Sequence, residues 1–285
     1  MGYNKFNKIE RKKNMKFIES KFVKEMCEVT ANMYRLGWDE RNGGNISYMI
    51  DREFIRDFFP IEKTLRKLEL NFVAAENVRG KYFLVTGTGK YFKNVAKDPE
   101  HNLGLVKISK DGTHAGLLWG FKDGGTFTSE FPAHLMSHSM RLKYNSKNRV
   151  IMHTHPLYTI CMGACLPVDA KEFTRALWKS NTEAVVVFPD GIGVLPCMVC
   201  GTPEIGEATA EQMKKHRIVS WTNHGIYGAG NDIDEAFGLI ETVEKTAQIY
   251  MLTIDHIENV IPDNVILGLA KLWNVKMMPG VIKEK

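Results

Sequence analysis

The chain has 285 residues, of which 44% are hydrophobic and 25% are charged, a balance typical of globular rather than disordered or collagen-like proteins. Apolar runs such as residues 184–188 are far shorter than the roughly 18 residues that a membrane span needs, so we expect no membrane protein. The formal net charge is +5, but residues 1–24 hold eight Lys and Arg against two Glu, which leaves the remainder slightly acidic. We therefore expect no nucleic-acid partner, and residues 1–20 are interpreted as a basic extension.

The expected cellular compartment follows from two absences in the sequence. Residues 1–20 contain no apolar core of the roughly 7–15 residues found in secretory signals. Five cysteines are an odd number in a chain with ample core material, which argues against a disulfide scaffold. The sequence thus predicts a cytoplasmic protein with reduced cysteines.

The first half of the chain changes from helical to strand-like patterning. Apolar residues at 22, 26, 29 and 33 predict a helix over residues 21–36, with Gly37 at its end. Residues 52–78 are charged and only partly helical in pattern. Short β-rich runs predict strands at 82–86, 103–108 and 115–119. A helix is expected after Ser129, because Thr128 and Ser129 are capping residues and Pro132 suits a first turn.

The second half alternates between the two kinds of element. The pattern predicts strands at 149–153, 184–188 and 218–221, and helices at 204–216 and 233–251. No repeat and no linker rich in Pro, Gly or Ser separates them. Interleaved strands and helices indicate one domain of the α/β or α+β class over residues 21–285.

Two histidines at the end of a predicted strand are candidate metal ligands. His153 and His155 occupy positions i and i+2, which point to the same face of a strand. His224, which follows another apolar strand and precedes Gly225, is the candidate third ligand. Three neutral imidazoles would leave an open coordination position, as catalytic metal sites do, whereas an isolated pair is more often two surface histidines.

Two other pairs have metal-ligand spacing, but structural roles are favoured for both. His134 and His138 lie at i and i+4 of the predicted helix without the His-Glu-x-x-His arrangement, so packing or capping is preferred. Cys197 and Cys200 form a Cys-x-x-Cys, but no second pair with zinc-finger spacing follows. For these cysteines a buried turn is the preferred interpretation.

Two glycine-bearing loops are candidate anion sites. Residues 41–45 and 86–90 offer amide, guanidinium and backbone N–H donors, although neither satisfies a nucleotide-binding motif. Beside a histidine metal site they suggest a small phosphorylated substrate. Glu130 and Glu183 are candidate catalytic carboxylates, but each also suits the start of a helix, where it would only stabilise the helix dipole.

Six short motifs follow one another in a single order along the chain. They are residues 37–45 (GWDERNGGN), 86–90 (TGTGK), 128–130 (TSE), 153–155 (HTH), 182–183 (TE) and 223–225 (NHG). This ordered set resembles the class II aldolase/adducin superfamily. The resemblance implies an α/β fold of three αβα layers, in which helices flank a mixed, largely antiparallel sheet. It also implies a cyclic homotetramer with active sites at the subunit interfaces.

The implied activity is the zinc-dependent cleavage of L-rhamnulose 1-phosphate to dihydroxyacetone phosphate and L-lactaldehyde, in rhamnose breakdown. The metal would stabilise an enediolate, and Glu130 matches the catalytic acid/base. Glu183 matches a residue that reaches the active site of a neighbouring subunit. The remaining matches are His153, His155 and His224 to the zinc ligands, and Asn42, Asn45, Thr88, Thr128 and Ser129 to the phosphate-binding positions.

Three alternatives stay open at this point. The chain resembles, more distantly, superfamily members that are other sugar-phosphate aldolases, epimerases or dehydratases. It also resembles the adducin head, which uses the same fold for assembly without catalysis. The third alternative is nucleic-acid binding through the basic residues 1–20.

Overall fold

Nine strands form one mixed sheet within residues 16–60 and 62–282, the parts of the chain that the computed structural model describes. Their order across the sheet is β2-β5-β4-β3-β1-β6-β9-β8-β7, and every neighbouring pair is antiparallel except β7 and β8. The strands are β1 (Asn45–Ile50), β2 (Arg66–Glu69), β3 (Tyr82–Thr86), β4 (Leu103–Ile108), β5 (His114–Gly120), β6 (Val150–Thr154), β7 (Ile192–Leu195), β8 (Ile218–Trp221) and β9 (Gly225–Gly230). The predicted mixed, largely antiparallel sheet is confirmed.

Eleven α-helices accompany the sheet in these described ranges, together with short 3₁₀ turns at Phe17–Glu19 and Glu76–Val78. The helices are α1 (Lys21–Arg35), α2 (Arg52–Phe58), α3 (Phe92–Val95), α4 (Pro99–Asn102), α5 (Phe131–Tyr144), α6 (Leu157–Cys165), α7 (Ala170–Ser180), α8 (Thr182–Val187), α9 (Pro203–Gln212), α10 (Ile233–Thr253) and α11 (Asp263–Leu272).

Alternation along the central strands divides the core between two layers of helices. In β6, Val150 and Met152 join the cluster that contains the apolar faces of α1 and α10. Ile151 lies between them in sequence and joins the opposite cluster, which includes Ile205 of α9. Because successive side chains of a strand point to opposite faces, β6 is covered on both sides. This arrangement confirms the α/β fold with three αβα layers.

The first helix forms where the sequence predicts it. Ser20 caps its start, because the Ser20 hydroxyl oxygen accepts a hydrogen bond from the Val23 N–H at 3.4 Å. The predicted apolar stripe, which includes Met26 and Met33, is buried. Beyond the helix, Gly37 has a φ of 75°, a left-handed conformation that glycine adopts without strain.

One predicted strand is wrong, because residues 184–188 belong largely to helix α8. The run of valines suggested a strand, but the Asn181 side-chain oxygen accepts a hydrogen bond from the Glu183 N–H at 3.1 Å and begins a helix. Ala184 and Val185 are buried in the core cluster that also contains α10. Helix capping and tertiary packing thus override the β propensity of the valines.

The region of residues 52–78 contains more regular structure than its mixed composition suggests. Helix α2 begins at Arg52, and β2 then pairs with β5 at the edge of the sheet. Most of the predicted basic extension, residues 1–15, lies outside the described residues. Phe17 is buried and contacts Phe58 and Trp119, with ring centroids 5.3 and 5.1 Å away. No helix in the described ranges is long and apolar enough to cross a membrane.

Candidate active site

The three predicted metal ligands come together where β6 ends and β8 turns into β9. His153 is the penultimate residue of β6, His155 follows that strand, and His224 lies in the turn between β8 and β9. One ligand atom from each of the three side chains lies within 4.8 Å of the other two. His153 is fully buried, and the other two histidines are partly exposed. The antiparallel pairing of β6 with β9 therefore gathers the predicted cluster at one end of the two strands.

Each imidazole of this cluster is held through its Nδ1 atom by a group outside the cluster. The three pairs are His153 with the carbonyl oxygen of Ile226 (3.1 Å), His155 with Glu40 Oε1 (2.8 Å) and His224 with Cys200 Sγ (2.6 Å). A ring that donates through Nδ1–H has its lone pair on Nε2, the usual arrangement for a metal ligand. The carbonyl and the carboxylate thus favour this tautomer in His153 and His155, whereas the Cys200 thiol can donate or accept and selects neither tautomer of His224.

The donor set suits a divalent metal such as zinc. His153 Nε2 and His155 Nε2 lie 3.1 Å apart, close to the roughly 3.3 Å between nitrogens bound to one tetrahedral zinc. Burial lowers the pKa of His153 well below its ordinary value, and it lowers the pKa of His224 to about 4. Both rings are therefore neutral at pH 7, so their lone pairs are available to a cation. Three nitrogen ligands would leave a position for substrate.

Two glycines allow the backbone to pack against the ligand rings. A Cβ atom on Gly43 would lie 2.7 Å from His155 Nδ1, and one on Gly225 would lie 3.0 Å from His153 Cε1. The Gly225 Cβ would also lie 2.5 Å from the carbonyl oxygen of Thr154. Both positions therefore require glycine on steric grounds, which explains their places in the GWDERNGGN and NHG motifs.

Glu130 lies over a row of side chains that crosses three strands. Asn45 of β1 is paired with His153 of β6, which is paired with Tyr227 of β9. The Asn45 amide donates to Glu130 Oε2 at 3.0 Å, and the Tyr227 hydroxyl donates to the same oxygen at 2.8 Å. That oxygen lies 3.8 Å from His153 Nε2. The carboxylate is thus fixed beside the histidine cluster.

The surroundings of Glu130 favour a chemical role over helix capping. Glu130 occupies the residue before α5, but its side chain makes no capping hydrogen bond there. Burial raises the pKa of its carboxyl group, while the hydrogen bonds from Asn45 and Tyr227 act in the opposite direction. A buried carboxylate of this kind is suited to hold or release a proton next to a metal-bound substrate.

Hydrogen bonds bring the predicted phosphate-binding segments together. Residue Gly87 forms an isolated bridge with Phe127, and the Thr88 N–H donates to the carbonyl oxygen of Thr126 at 2.9 Å. Thr128 is buried, whereas Thr88 is exposed. Ser129 and Asn42 are also exposed, and Asn45 is buried beneath Glu130. The loops thus lie side by side, and the phosphate-binding role of these five residues stays a prediction.

Glu183 is exposed at the start of α8, where its backbone N–H donates to Asn181 Oδ1 at 3.1 Å. Within the described residues, no hydrogen bond or ion pair joins Glu183 to Glu130 or to the three histidines. Its role at the site of a neighbouring subunit therefore stays a prediction.

Three contributors to the site had no functional role in the sequence interpretation. Glu40 belongs to the GWDERNGGN motif but has no metal-ligand spacing of its own, and Tyr227 is brought to Glu130 by a strand register that the sequence does not reveal. Cys200 was assigned to a buried turn, which is wrong, because Cys197 and Cys200 are both exposed. The Cys-x-x-Cys spacing marked Cys200 as a candidate, but its partner is His224 rather than Cys197.

Comparisons with known proteins agree with this geometry. Residues 24–251 match the model of the family described as class II aldolase and adducin N-terminal domain. A rhamnulose-1-phosphate aldolase from Listeria monocytogenes serotype 4a (strain HCC23) is 47% identical over 94% of this chain and 98% of its own length. The Klebsiella pneumoniae protein of the same name is 41% identical over 93% of this chain and 97% of its own length.

Solved structures give the same result for the fold. A sugar-phosphate aldolase from Thermotoga maritima superposes with a TM-score of 0.72 at 29% identity, covering 83% of this chain and 96% of that one. An L-fuculose 1-phosphate aldolase superposes with a TM-score of 0.59 at 20% identity, covering 90% of this chain and 97% of that one. The match to the family model, which spans most of the chain, shows that this protein belongs to the class II aldolase and adducin family.

Proposed function

We propose that this chain is a zinc-dependent aldolase that cleaves L-rhamnulose 1-phosphate into dihydroxyacetone phosphate and L-lactaldehyde. The observation that carries the proposal is the buried Glu130 carboxylate, 3.8 Å from His153 within a cluster of three histidines. Relatives that are 41–47% identical over nearly the whole chain and bear the name rhamnulose-1-phosphate aldolase support the choice of substrate.

His153, His155 and His224 would hold the zinc ion. When bound, zinc supplies Lewis-acid stabilisation of the negative charge that develops on the ketose oxygens as the C3–C4 bond breaks. Glu40 would increase the zinc affinity of this site, because a carboxylate that accepts a hydrogen bond from His155 increases the basicity of that ring. The complete burial of His153 would keep water from one side of the site.

Glu130 would transfer the proton to and from the substrate carbon C3. Its Oε2 accepts hydrogen bonds from Asn45 and Tyr227, which leaves Oε1 as the oxygen that carries the transferable proton. In cleavage, the C4 hydroxyl would lose its proton to water as the C3–C4 bond breaks and the aldehyde forms, and Oε1 of protonated Glu130 would deliver a proton to C3 of the dihydroxyacetone phosphate half. In synthesis both transfers would run in reverse. The two hydrogen bonds fix the direction in which Oε1 points.

The phosphate group would bind beside this carboxylate. Asn42, Thr88 and Ser129 offer exposed amide and hydroxyl donors from loops that lie next to one another. Thr128 lies beside the loop of residues 86–90, since its backbone N–H donates to the carbonyl oxygen of Thr86. The Asn45 amide has a second N–H besides the one that it donates to Glu130. A small cluster of neutral donors would thus suffice for one phosphate.

The assembly and location follow from the same proposal. A cyclic homotetramer would bring the exposed Glu183 of one subunit to the active site of the next. Residues 21–285 would form the catalytic domain, preceded by the basic extension. A phosphorylated sugar does not cross membranes readily, so we place the enzyme in the cytoplasm.

An assay with matched substrates tests the function. The purified protein is analysed for zinc and assayed against L-rhamnulose 1-phosphate and L-fuculose 1-phosphate. We expect one zinc ion per chain and preferred cleavage of the rhamnulose ester. Preferred turnover of the fuculose ester would contradict the substrate assignment, and a metal-free protein without turnover would favour a non-catalytic assembly domain.

A further inference from the structure

Four polar side chains form a buried chain that leads away from Glu130. Asn45 and Ser47 of β1 face His134 and His138 of α5, and all four are less than 6% exposed. The pairing is produced by matching periods, because i and i+2 share one face of a strand while i and i+4 share one face of a helix. The proposed aldolase mechanism uses Asn45 as a partner of Glu130 and gives no role to Ser47, His134 or His138.

The contacts in this chain are short and sequential. His134 Nε2 lies 2.5 Å from Asn45 Oδ1, and His134 Nδ1 lies 2.8 Å from Ser47 Oγ. Ser47 Oγ also lies 2.8 Å from His138 Nε2. Among the described residues, no partner lies within hydrogen-bond distance of His138 Nδ1, so the chain ends there.

Glu130 Oε2 assigns a direction to every proton in the chain, because the transferable proton belongs to Oε1. An unprotonated carboxyl oxygen only accepts, so Asn45 presents its NH₂ group to Glu130 Oε2 and its own Oδ1 to His134. His134 then carries its proton on Nε2 and accepts from the Ser47 hydroxyl through Nδ1. The Ser47 oxygen in turn accepts from His138 Nε2–H.

This pattern requires a neutral His134, since that ring donates through Nε2 and accepts through Nδ1. Burial provides this state, because it lowers the pKa of His138 to about 3 and that of His134 well below its ordinary value. Asn45, Ser47 and His134 are then satisfied as a set that ends at His138 Nε2, and a change at any member leaves a buried polar atom of its neighbour unpaired.

We propose that Ser47, His134 and His138 are positioning residues for Glu130, which hold the Asn45 amide with its NH₂ group toward the carboxylate. Without them the amide can turn over, and its oxygen then repels the Glu130 oxygen instead of donating to it. The Glu130 carboxylate would lose one of its two fixed partners and its aim at the substrate carbon. This inference rests on the proposed aldolase function and adds residues outside the substrate pocket to it.

A pair of serine variants separates this role from simple packing. Ser47→Ala removes the central hydroxyl of the chain with little change in volume. Ser139→Ala is the matched control, because Ser139 is a buried hydroxyl on α5 that donates to Asn77 Oδ1 at 2.7 Å, away from Glu130. We expect Ser47→Ala to lower kcat about tenfold, with KM for L-rhamnulose 1-phosphate and zinc content unchanged, and Ser139→Ala to match the wild type.

Two variants of His134 supply the rescue test. His134→Leu removes both the donor and the acceptor, whereas His134→Gln supplies an NH₂ group and an oxygen in a neutral side chain. We expect the leucine variant to lose at least as much kcat as Ser47→Ala, and the glutamine variant to recover most of it.

A spectroscopic measurement tests the proton direction without relying on activity. In the wild-type protein labelled with ¹⁵N-histidine, we expect His134 and His138 to be neutral with the proton on Nε2. Ser47→Ala should change these two signals and Ser139→Ala should leave them unchanged. A charged ring, or a proton on His134 Nδ1, would overturn the assigned direction.

The outcomes distinguish the inference from the proposed function. Equal kcat values for Ser47→Ala and Ser139→Ala, in a protein that cleaves the substrate, would overturn the positioning role while the function stands. A loss of zinc or a rise in KM alone in Ser47→Ala would also overturn it, since the carboxylate would not be the affected group. If the wild type cleaves neither ester, the proposed function fails and the histidine spectra alone decide the direction of the chain.

Discussion

The molecule contains two histidine pairs whose spacing alone would suit a metal, and the structure uses them differently. His153 and His155 follow the period of a strand, whereas His134 and His138 follow the period of a helix. In the first pair, Nε2 faces Nε2 at 3.1 Å, and His224 completes the cluster. In the second pair, a serine hydroxyl lies between the two rings. The difference shows that spacing brings imidazoles together, while their other partners decide what they bind.

The partners differ in which nitrogen they occupy. Around the first pair, a backbone carbonyl and a carboxylate contact the Nδ1 atoms, and the two Nε2 atoms lie 3.1 Å from each other. Around the second pair, Ser47 and Asn45 occupy both nitrogens of His134. The first pair can therefore present its Nε2 lone pairs to a cation, whereas hydrogen bonds occupy both nitrogens of His134 and the Nε2 atom of His138.

The largest expected effect separates these two pairs directly. His153→Ala removes a fully buried ligand, so we expect the variant to lose its zinc and nearly all activity. His138→Gln, the control from the helical pair, should retain one zinc ion per chain. Mass spectrometry of metal content and the aldolase assay check both variants. Retention of zinc and activity in His153→Ala would remove this cluster as the metal site.

A second expected effect concerns the carboxylate that lies between the two pairs. Glu130→Gln keeps a hydrogen-bonding side chain of equal length but cannot exchange the proton that the reaction needs. We expect zinc content and melting temperature to stay at wild-type values while kcat falls roughly a hundredfold or more, as with the loss of other general acid/base groups. A kcat within a few-fold of the wild type would reduce Glu130 to a structural role.

The sequence predicted more of the three-histidine cluster than of the residues around it. His153, His155 and His224 could be found because strand period and strand ends are visible in a single sequence. The preference for packing roles of His134 and His138 also agrees with their burial. The row of Asn45, His153 and Tyr227 could not be found, since it depends on the register of β1, β6 and β9.

The fold shows the same division between local and long-range information. Helix α1 was predictable because its capping residue and apolar stripe are local. The valines of residues 185–187 were assigned to a strand because their β propensity is also local, whereas their burial as a helix depends on packing against distant elements. Strand β2 was missed because a short, charged edge strand has little apolar pattern.

The smallest expected effect concerns Cys200, the one partner of the open cluster that is neither a carbonyl nor a carboxylate. Its sulfur lies 2.6 Å from His224 Nδ1, so it contacts the ring on the nitrogen opposite the proposed ligand atom Nε2. Loss of such an outer partner usually weakens metal affinity by about 10–100-fold. For Cys200→Ala we expect a loss of zinc affinity near the lower end of that range, because a neutral thiol is a weak acceptor and burial raises the pKa of this thiol.

Cys197→Ala, in the same exposed loop, is the matched control, and competition with a chromophoric chelator measures zinc affinity in both variants. Equal affinities in the two variants would mean that the turn before Gly225, rather than the sulfur, holds His224 in place, and the open cluster would then need only two outer partners.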